Sequence, residues 1–277
     1  MENAKFTGPN KESLEFQNLN KKRLHILEFV KNGLENSKEI LSAKAYGSWM
    51  YSEKSRDLDI FVIIPSNEGI VDPNTYHHLS SLRKNLCEQT KQDVDLVPHT
   101  QDEIKDHRST LYYPRYNPSL VSGKNLKGKT EIEPVFNKND KFDYGDLSAY
   151  ILLDNRTICR RQLIRSFNES EGKIFVSKTL HGPGNALTYY SCKQKIPYLL
   201  SPSDLSGSLK AFDEIYKVNS SPAIEFFSYC KKKLDFEKAL VLLKWYEHLV
   251  QLVLYGEKYA NNYQKYCLEI KNLDLEK

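Results

Sequence analysis

Two pairs of aspartates alternate with apolar residues in two short segments of the chain. Asp57 and Asp59 lie in DLDIFVII, and Asp93 and Asp95 lie in DVDLV. Because the side chains of a strand alternate between its two faces, each pair is expected to project from one face. Adjacent carboxylates repel each other unless a cation lies between them. Hard divalent ions prefer oxygen ligands, so the first pair predicts a site for Mg²⁺ or Mn²⁺.

A third carboxylate on a neighbouring strand would complete a site for two metal ions. Two such ions can hold the attacking and leaving oxygens of an in-line phosphoryl displacement. Asp93 and Asp95 are both candidates for the third ligand, because they lie on the same face of the second predicted strand.

A glycine and a serine follow a predicted strand and mark a tight turn. Gly47 and Ser48 come directly after the segment LSAKAY. Backbone N–H groups exposed in such a turn, together with a serine hydroxyl, can bind phosphate oxygens. The predicted chemistry is therefore phosphoryl transfer from a bound phosphate ester.

The elements that must position these residues follow from hydrophobic periodicity. The N-terminal part is predicted to contain helices over 12–35 and 76–89 and strands over 41–46, 57–64 and 93–97, the last stopped by Pro98. This order of elements is typical of a layer of helices on a small sheet.

A polar, loop-like stretch over 123–146 separates this part from a helical remainder. Helices are predicted over 147–167, 174–193 (broken near its middle), 204–218, 223–231 and 236–263. The predicted fold class is α+β, with a small mixed sheet in a first domain (12–130) and an α-helical bundle in a second domain (140–270).

Composition limits the class of protein. The chain has 277 residues, five cysteines without zinc spacing and a net charge of +4. It has no apolar run suited to a membrane span and no secretory signal. A cytoplasmic protein with reduced thiols and no membrane partner is the expectation.

The segment GSWMYSEKSRDLDIFVI, followed by DVDLV, resembles the nucleotidyltransferase superfamily of the DNA polymerase β type. The shared features are a Gly-Ser turn, a DxD pair and a later acidic residue, and the resemblance extends over residues 41–128. It implies that 12–130 is the catalytic domain and that 140–270 binds substrate or nucleotide.

The resemblance also implies roles for single residues. Gly47 and Ser48 would hold a nucleoside triphosphate such as ATP, and Asp57 and Asp59 would bind two Mg²⁺ or Mn²⁺ ions. Asp95 would bind the catalytic metal and help to deprotonate the acceptor hydroxyl. Asp95 is preferred to Asp93 because Leu96 and Val97 follow it, as in the family pattern.

Basic residues in the second predicted domain offer further contacts to a polyanion. Helical spacing predicts that they form one basic face. This face would either line the cleft and bind a triphosphate or an RNA backbone, or be exposed to solvent without a partner. The face comprises Arg156, Arg160, Arg161 and Arg165. Of these, Arg160 is predicted to bind nucleotide, and the resemblance adds Lys178, with Lys173 as its rival.

The sequence therefore predicts an enzyme that transfers a nucleoside monophosphate from a nucleoside triphosphate to an acceptor hydroxyl and releases pyrophosphate. The acceptor is left open between a small molecule, an RNA 3′ end such as that of tRNA, and a protein hydroxyl. The alternatives are a catalytically silent binding module with the same fold, such as an antitoxin or regulatory subunit, and a structural protein with an incidental DxD.

Overall fold

A mixed four-stranded sheet forms the centre of the N-terminal half. Its strands are β1 (Ser42–Tyr46), β2 (Asp57–Ile64), β3 (Asp93–Thr100) and β4 (Lys124–Lys127). Their order is β3-β2-β1-β4, with β1 antiparallel to β2 and β4 and β2 parallel to β3. The structure is a computed structural model that describes residues 21–50, 52, 55–112, 117–132, 144–165, 169–197, 205–230 and 234–273.

The alternation of β2 determines the two faces of the sheet. Leu58, Ile60 and Val62 are fully buried in the main hydrophobic core. Phe61 and Ile63 belong to a smaller cluster with residues from the segment that follows β3. Both faces of the apolar end of β2 are thus covered, while its polar beginning lies at the edge of this packing.

The described residues of the N-terminal half include four α-helices: α1 (Lys21–Glu35), α2 (Pro73–Thr90), α3 (Gln101–Lys105) and α4 (Asn117–Val121). The side chain of Asp72 accepts a hydrogen bond of 2.8 Å from the backbone N–H of Asn74 and caps α2, with Pro73 in its first turn. This cap and proline define where the helix begins.

In the parts of the chain that the structure describes after residue 143, seven α-helices follow: α5 (Tyr144–Ile164), α6 (Glu169–Leu180), α7 (Gly182–Gln194), α8 (Leu205–Tyr216), α9 (Ser221–Cys230), α10 (Phe236–Tyr255) and α11 (Ala260–Lys271). Helix α5 packs against β3 and α2. One hydrophobic core is continuous from α1 to α11. The fold is α+β, whereas the division into domains at 12–130 and 140–270 stays a prediction, and residues 133–143 at that boundary lie outside the described part.

Two of the differences from the predicted element boundaries have a clear physical reason. Strand β3 continues through Pro98 to Thr100, because β3 is an edge strand and needs no N–H donor on its free side. The predicted helix 236–263 is two helices, because Gly256 adopts a φ of +100° and ends α10. The predicted helix 12–35 is described only from Lys21.

Within the described ranges, no helix combines the length and the apolar character that crossing a bilayer requires.

Candidate active site

The four aspartates meet at the start of the parallel pair β2–β3. The register aligns Asp57 with Asp93 and Asp59 with Asp95. Because aligned residues of neighbouring strands project from the same face, all four carboxylates share one face of the sheet. The antiparallel register with β1 sets Tyr46 beside Asp59, which brings the following turn to the same place.

Asp59 lies at the centre of the negative charge. Its side chain is 23% exposed. Burial raises the pKa of Asp59 to about 6, and the carboxylates of Asp95 and Asp57 contribute to this rise. The guanidinium groups of Arg161 and Arg165 partly oppose it. A carboxyl with this pKa is held close to other anions and gains by binding a cation.

Asp95 is fully buried and is paired through one oxygen only. Its Oδ2 forms an ion pair with Arg161, and the Nη1 of Arg165 is 3.8 Å from the same oxygen. Its Oδ1 is buried and has no hydrogen-bond partner in the described part of the chain. An unsatisfied buried oxygen of a carboxylate is costly, so this atom is suited to a further ligand.

Asp93 has a different environment from Asp95. Its side chain is 47% exposed, and Arg83 donates to its Oδ1 at 2.7 Å. Arg165 lies 3.6 Å from its Oδ2. Asp93 is therefore an exposed residue with its own cationic partners, and Asp95 is the carboxylate opposite Asp59.

The turn after β1 touches the carboxylates directly. Gly47 has a φ of +79°, and a Cβ at this position would lie 2.7 Å from Oδ2 of Asp59. Glycine is therefore required both by the backbone conformation and by the close approach. Ser48 is exposed, and its hydroxyl is 2.8 Å from that of Ser55. The structure thus brings the predicted phosphate turn and the DxD pair together.

A cavity of about 220 Å³ lies between this face of the sheet and α5. Its lining includes Tyr46, His99, Asp154, Thr157 and Arg161. Burial raises the pKa of Asp154, and the nearby charges of Lys178 and His99 oppose this rise. The lining of the cavity therefore includes one cation, Arg161, which is paired with Asp95, and one carboxylate, Asp154.

Comparison with known proteins finds no matching family model, no matching curated protein and no matching solved structure. The function must therefore be inferred from the side chains of the site and from the sequence motif.

The prediction of one basic face on α5 is wrong. Arg156 and Arg160 are 1% and 0% exposed. Arg160 donates to Glu247 at 2.8 Å, to Glu103 at 2.7 Å and to the carbonyl of Gly69 at 2.9 Å. Since these contacts occupy all its nitrogens, Arg160 does not bind nucleotide from this position.

The geometry of a helix explains the error. Residues four apart form one stripe, and the next residue is rotated by about 100°. Arg156 and Arg160 thus form an inward stripe, while Arg161 and Arg165 form a separate one that reaches the aspartates. The side chains of Arg161 and Arg165 are 35% and 31% exposed.

The two lysines predicted to contact nucleotide lie on α6. Lys178 is half-buried on α6 and acts on Asp154 at the cavity. Lys173, its rival, is exposed on the same helix. The role of Lys178 in nucleotide binding stays a prediction.

Sequence reasoning missed a buried ion network next to this cavity. Arg156 and Arg160 contact Oε1 of Glu103 at 2.5 and 2.7 Å, and Nδ1 of His99 is 2.7 Å from its Oε2. Although burial opposes the change, the two arginines lower the pKa of Glu103. A capping-box pattern, Thr100 followed by Glu103, was the available signal for Glu103. No signal in the sequence indicated that Glu103 pairs with arginines of α5.

The described side chains offer a divalent cation single ligands but no ready cluster. Among them, no three His, Cys, Asp or Glu residues are arranged as a ready ligand set. The free Oδ1 of Asp95 and the raised pKa of Asp59 nevertheless fit a divalent cation. Arg161, which is ion-paired with Asp95 and 4.0 Å from Asp59, supplies the positive charge at this place.

Proposed function

We propose that this protein is a nucleotidyltransferase, which moves a nucleoside monophosphate from a nucleoside triphosphate to an acceptor hydroxyl and releases pyrophosphate. The observation that carries the proposal is the alignment of Asp59 with Asp95 across β2 and β3, with Gly47 in contact with Asp59. This arrangement brings together the Gly-Ser turn, the DxD pair and the later aspartate, which are the motifs of the resemblance.

Asp57, Asp59 and Asp95 would hold divalent metal ions, and the free oxygen of Asp95 supports this assignment. When bound, Mg²⁺ or Mn²⁺ would stabilise negative charge on the transferred phosphoryl group. The turn at Gly47 and Ser48 would bind the triphosphate through backbone N–H groups and a hydroxyl. Asp95 would accept the proton of the acceptor hydroxyl.

A small molecule is the acceptor that the site favours. The cavity of about 220 Å³ is partly enclosed between the sheet and α5, which suits a small ligand better than a nucleic-acid strand. Arg156 and Arg160 are buried, and Arg161 and Arg165 face aspartates. These positions leave little of the basic surface that an RNA backbone requires.

One observation favours a second candidate function. Arg161 pairs with Asp95 and so neutralises one of the carboxylates that the reaction needs. A silent nucleotidyltransferase-like binding module would have such a permanent internal cation in place of a metal ion. The two functions differ in whether metal binds at the aspartates.

The test is a label-transfer experiment. Purified protein is incubated with each α-labelled nucleoside triphosphate, Mg²⁺, and either a small-molecule panel or total RNA. We expect label on a small molecule, and loss of transfer with EDTA, Asp57→Asn or Asp59→Asn. Activity that survives either substitution would contradict the assignment of these residues. A protein that neither transfers label nor binds Mn²⁺ in a titration would be the binding module.

A further inference from the structure

The cavity between the sheet and α5 extends away from the aspartates. Arg161 lines it at the end where it pairs with Asp95. Asp154 on α5 and His99 on β3 line it further along. By the rise per residue of a helix and of a strand, these two residues lie about 10 Å from Arg161 and about 13 Å from Asp95, respectively. The distal end of the cavity is the part lined by His99, Thr110 and Asp154.

Asp154 presents a carboxylate to the distal end. The residue is half-buried. Among the described residues, neither of its oxygens has a hydrogen-bond partner, and neither oxygen is fully buried. Burial raises the pKa of Asp154, although the charges of Lys178 and His99 oppose this rise. No direct contact in the described part of the chain compensates this carboxylate, so it is suited to a cationic ligand.

His99 presents a second hydrogen-bond acceptor to the distal end. Its Nδ1 lies 2.7 Å from Oε2 of Glu103. Although burial opposes the change, Arg156 and Arg160 lower the pKa of Glu103, so this carboxylate is ionised and can only accept. In the neutral imidazole the proton is therefore on Nδ1, and Nε2 is an acceptor. Within the described ranges, Nε2 has no hydrogen-bond partner, and it is not fully buried.

Thr110 adds a hydroxyl beside these two acceptors. In the part of the chain that the structure describes, its Oγ1 also has no hydrogen-bond partner, and it is not fully buried. The hydroxyl of Thr157 lines the same cavity but donates to the carbonyl of Leu153 at 3.1 Å. The distal end therefore offers a ligand one carboxylate, one imidazole nitrogen and one hydroxyl.

We infer that the distal end binds a primary ammonium group of the acceptor, held by Asp154, His99 and Thr110. A primary ammonium has three N–H donors and a positive charge, which match the three oxygen and nitrogen acceptors and compensate the carboxylate. The acceptor is then a small molecule whose amine lies about 10 Å from the hydroxyl that receives the nucleotide. The assignment of the ammonium to the acceptor rests on the proposed function, whereas the ammonium site itself does not.

Two matched probes test the need for a charged amine. One is an aminohexanol with its amine and hydroxyl at opposite ends of the carbon chain, and the other is the corresponding hexanediol. We would label the histidines of the full chain and titrate it with each probe at constant ionic strength, without nucleotide or metal. NMR should show a saturable shift of the His99 signals, assigned with His99→Gln, for the aminohexanol. Affinity for the diol should be lower by about tenfold or more. His248, which lies outside this cavity, should not respond.

A matched pair of aspartate variants tests the contact. Asp154→Asn should weaken binding of the aminohexanol by about tenfold or more, because the bond to the ammonium loses one of its two charges. The variant should fold, since the Asp154 carboxylate has no hydrogen-bond partner to lose among the described residues. Asp146→Asn, on the same helix but outside the lining of the cavity, should bind as the unmodified chain does.

The inference is overturned if the aminohexanol does not shift His99, if the diol binds equally well, or if Asp154→Asn binds as the unmodified chain does. None of these outcomes bears on the transfer of label to another acceptor. Binding of the aminohexanol through Asp154 by a chain that transfers no label in the presence of Mg²⁺ would instead contradict the proposed function and retain the ammonium site.

Discussion

Asp59 combines a raised pKa with a position between two other carboxylates. Its pKa of about 6 lies above its ordinary value because of burial and the charges of Asp95 and Asp57. The folded chain therefore holds this proton more tightly than the unfolded chain does. The stability of the metal-free protein should fall as pH rises from about 4 to about 6.

Asp59→Asn should remove this destabilisation. We expect the metal-free variant to be more stable than the unmodified chain by about 1–3 kcal/mol at neutral pH. The difference should shrink toward zero near pH 4. Urea unfolding in EDTA at several pH values measures it. A variant that is less stable at neutral pH would mean that the attraction to Arg161 exceeds the repulsion.

Asp95 and Asp93 should differ in their importance for activity. Asp95 is buried opposite Asp59, whereas Asp93 is half-exposed and paired with Arg83. We expect Asp95→Asn to lower the rate of label transfer by about a hundredfold or more, because a metal ligand supplies several kcal/mol to the transition state. Asp93→Asn should change it by less than about tenfold. The reverse order would assign the third carboxylate to Asp93.

At the scale of elements, α5 connects the aspartates to the rest of the molecule. Its outer stripe pairs with Asp93 and Asp95, and its inner stripe pairs with Glu103 and Glu247. Glu247 also accepts hydrogen bonds from the hydroxyl of Tyr76 at 3.0 Å and from the backbone N–H of Val71 at 3.2 Å. The inner stripe therefore joins α2, α3, α5 and α10.

Glu247→Gln should destabilise the fold strongly. It leaves the buried charge of Arg160 with less compensation, and breaking a buried ion pair typically costs about 3–5 kcal/mol. Glu237→Gln is the matched control on the same helix, since Glu237 is 74% exposed beside His77. It should change stability by less than about 0.5 kcal/mol. Thermal or urea unfolding of both variants measures these changes in stability. Equal changes in the two variants would contradict a structural role for the network.

The strands that carry the aspartates could be predicted because alternation is a local signal. The pattern of DLDIFVII gives β2 its bounds and its faces. Spacing alone could not predict which arginines of α5 face the aspartates. Arg160 and Arg161 are adjacent in sequence, yet Arg160 pairs with Glu103 and Arg161 pairs with Asp95. Glu103 and Glu247 are far apart in sequence, so their shared contact with Arg160 follows only from the packing of α5.

For the whole molecule, the continuous core predicts cooperative unfolding. Hydrophobic side chains from α1 to α11 form one cluster. Arg160 also links the two halves of the chain, because it binds Glu103 in the N-terminal half and Glu247 in the C-terminal half. We expect one calorimetric transition, with equal calorimetric and van't Hoff enthalpies. Two resolved transitions would instead indicate that 12–130 and 140–270 unfold as independent domains.

The acceptor class also depends on the whole surface. The net charge is only +4, and two of the four arginines of α5 are buried. A single RNA strand could then contact at most Arg161 and Arg165 on this helix, and both are paired with aspartates.

Arg161 and Arg165 together should therefore contribute at most about 1.4 to the slope with which log affinity for single-stranded RNA falls with log salt, at about 0.7 per phosphate contact. Filter binding at several salt concentrations measures this slope. Arg165→Ala tests the contribution of Arg165, with Lys210→Ala, an exposed residue of α8, as its control. A slope that Arg165→Ala lowers by about 0.7 would show that the RNA strand contacts α5, and would make an RNA 3′ end the better acceptor. A shallow slope that neither variant changes leaves the cavity between the sheet and α5 as the acceptor site.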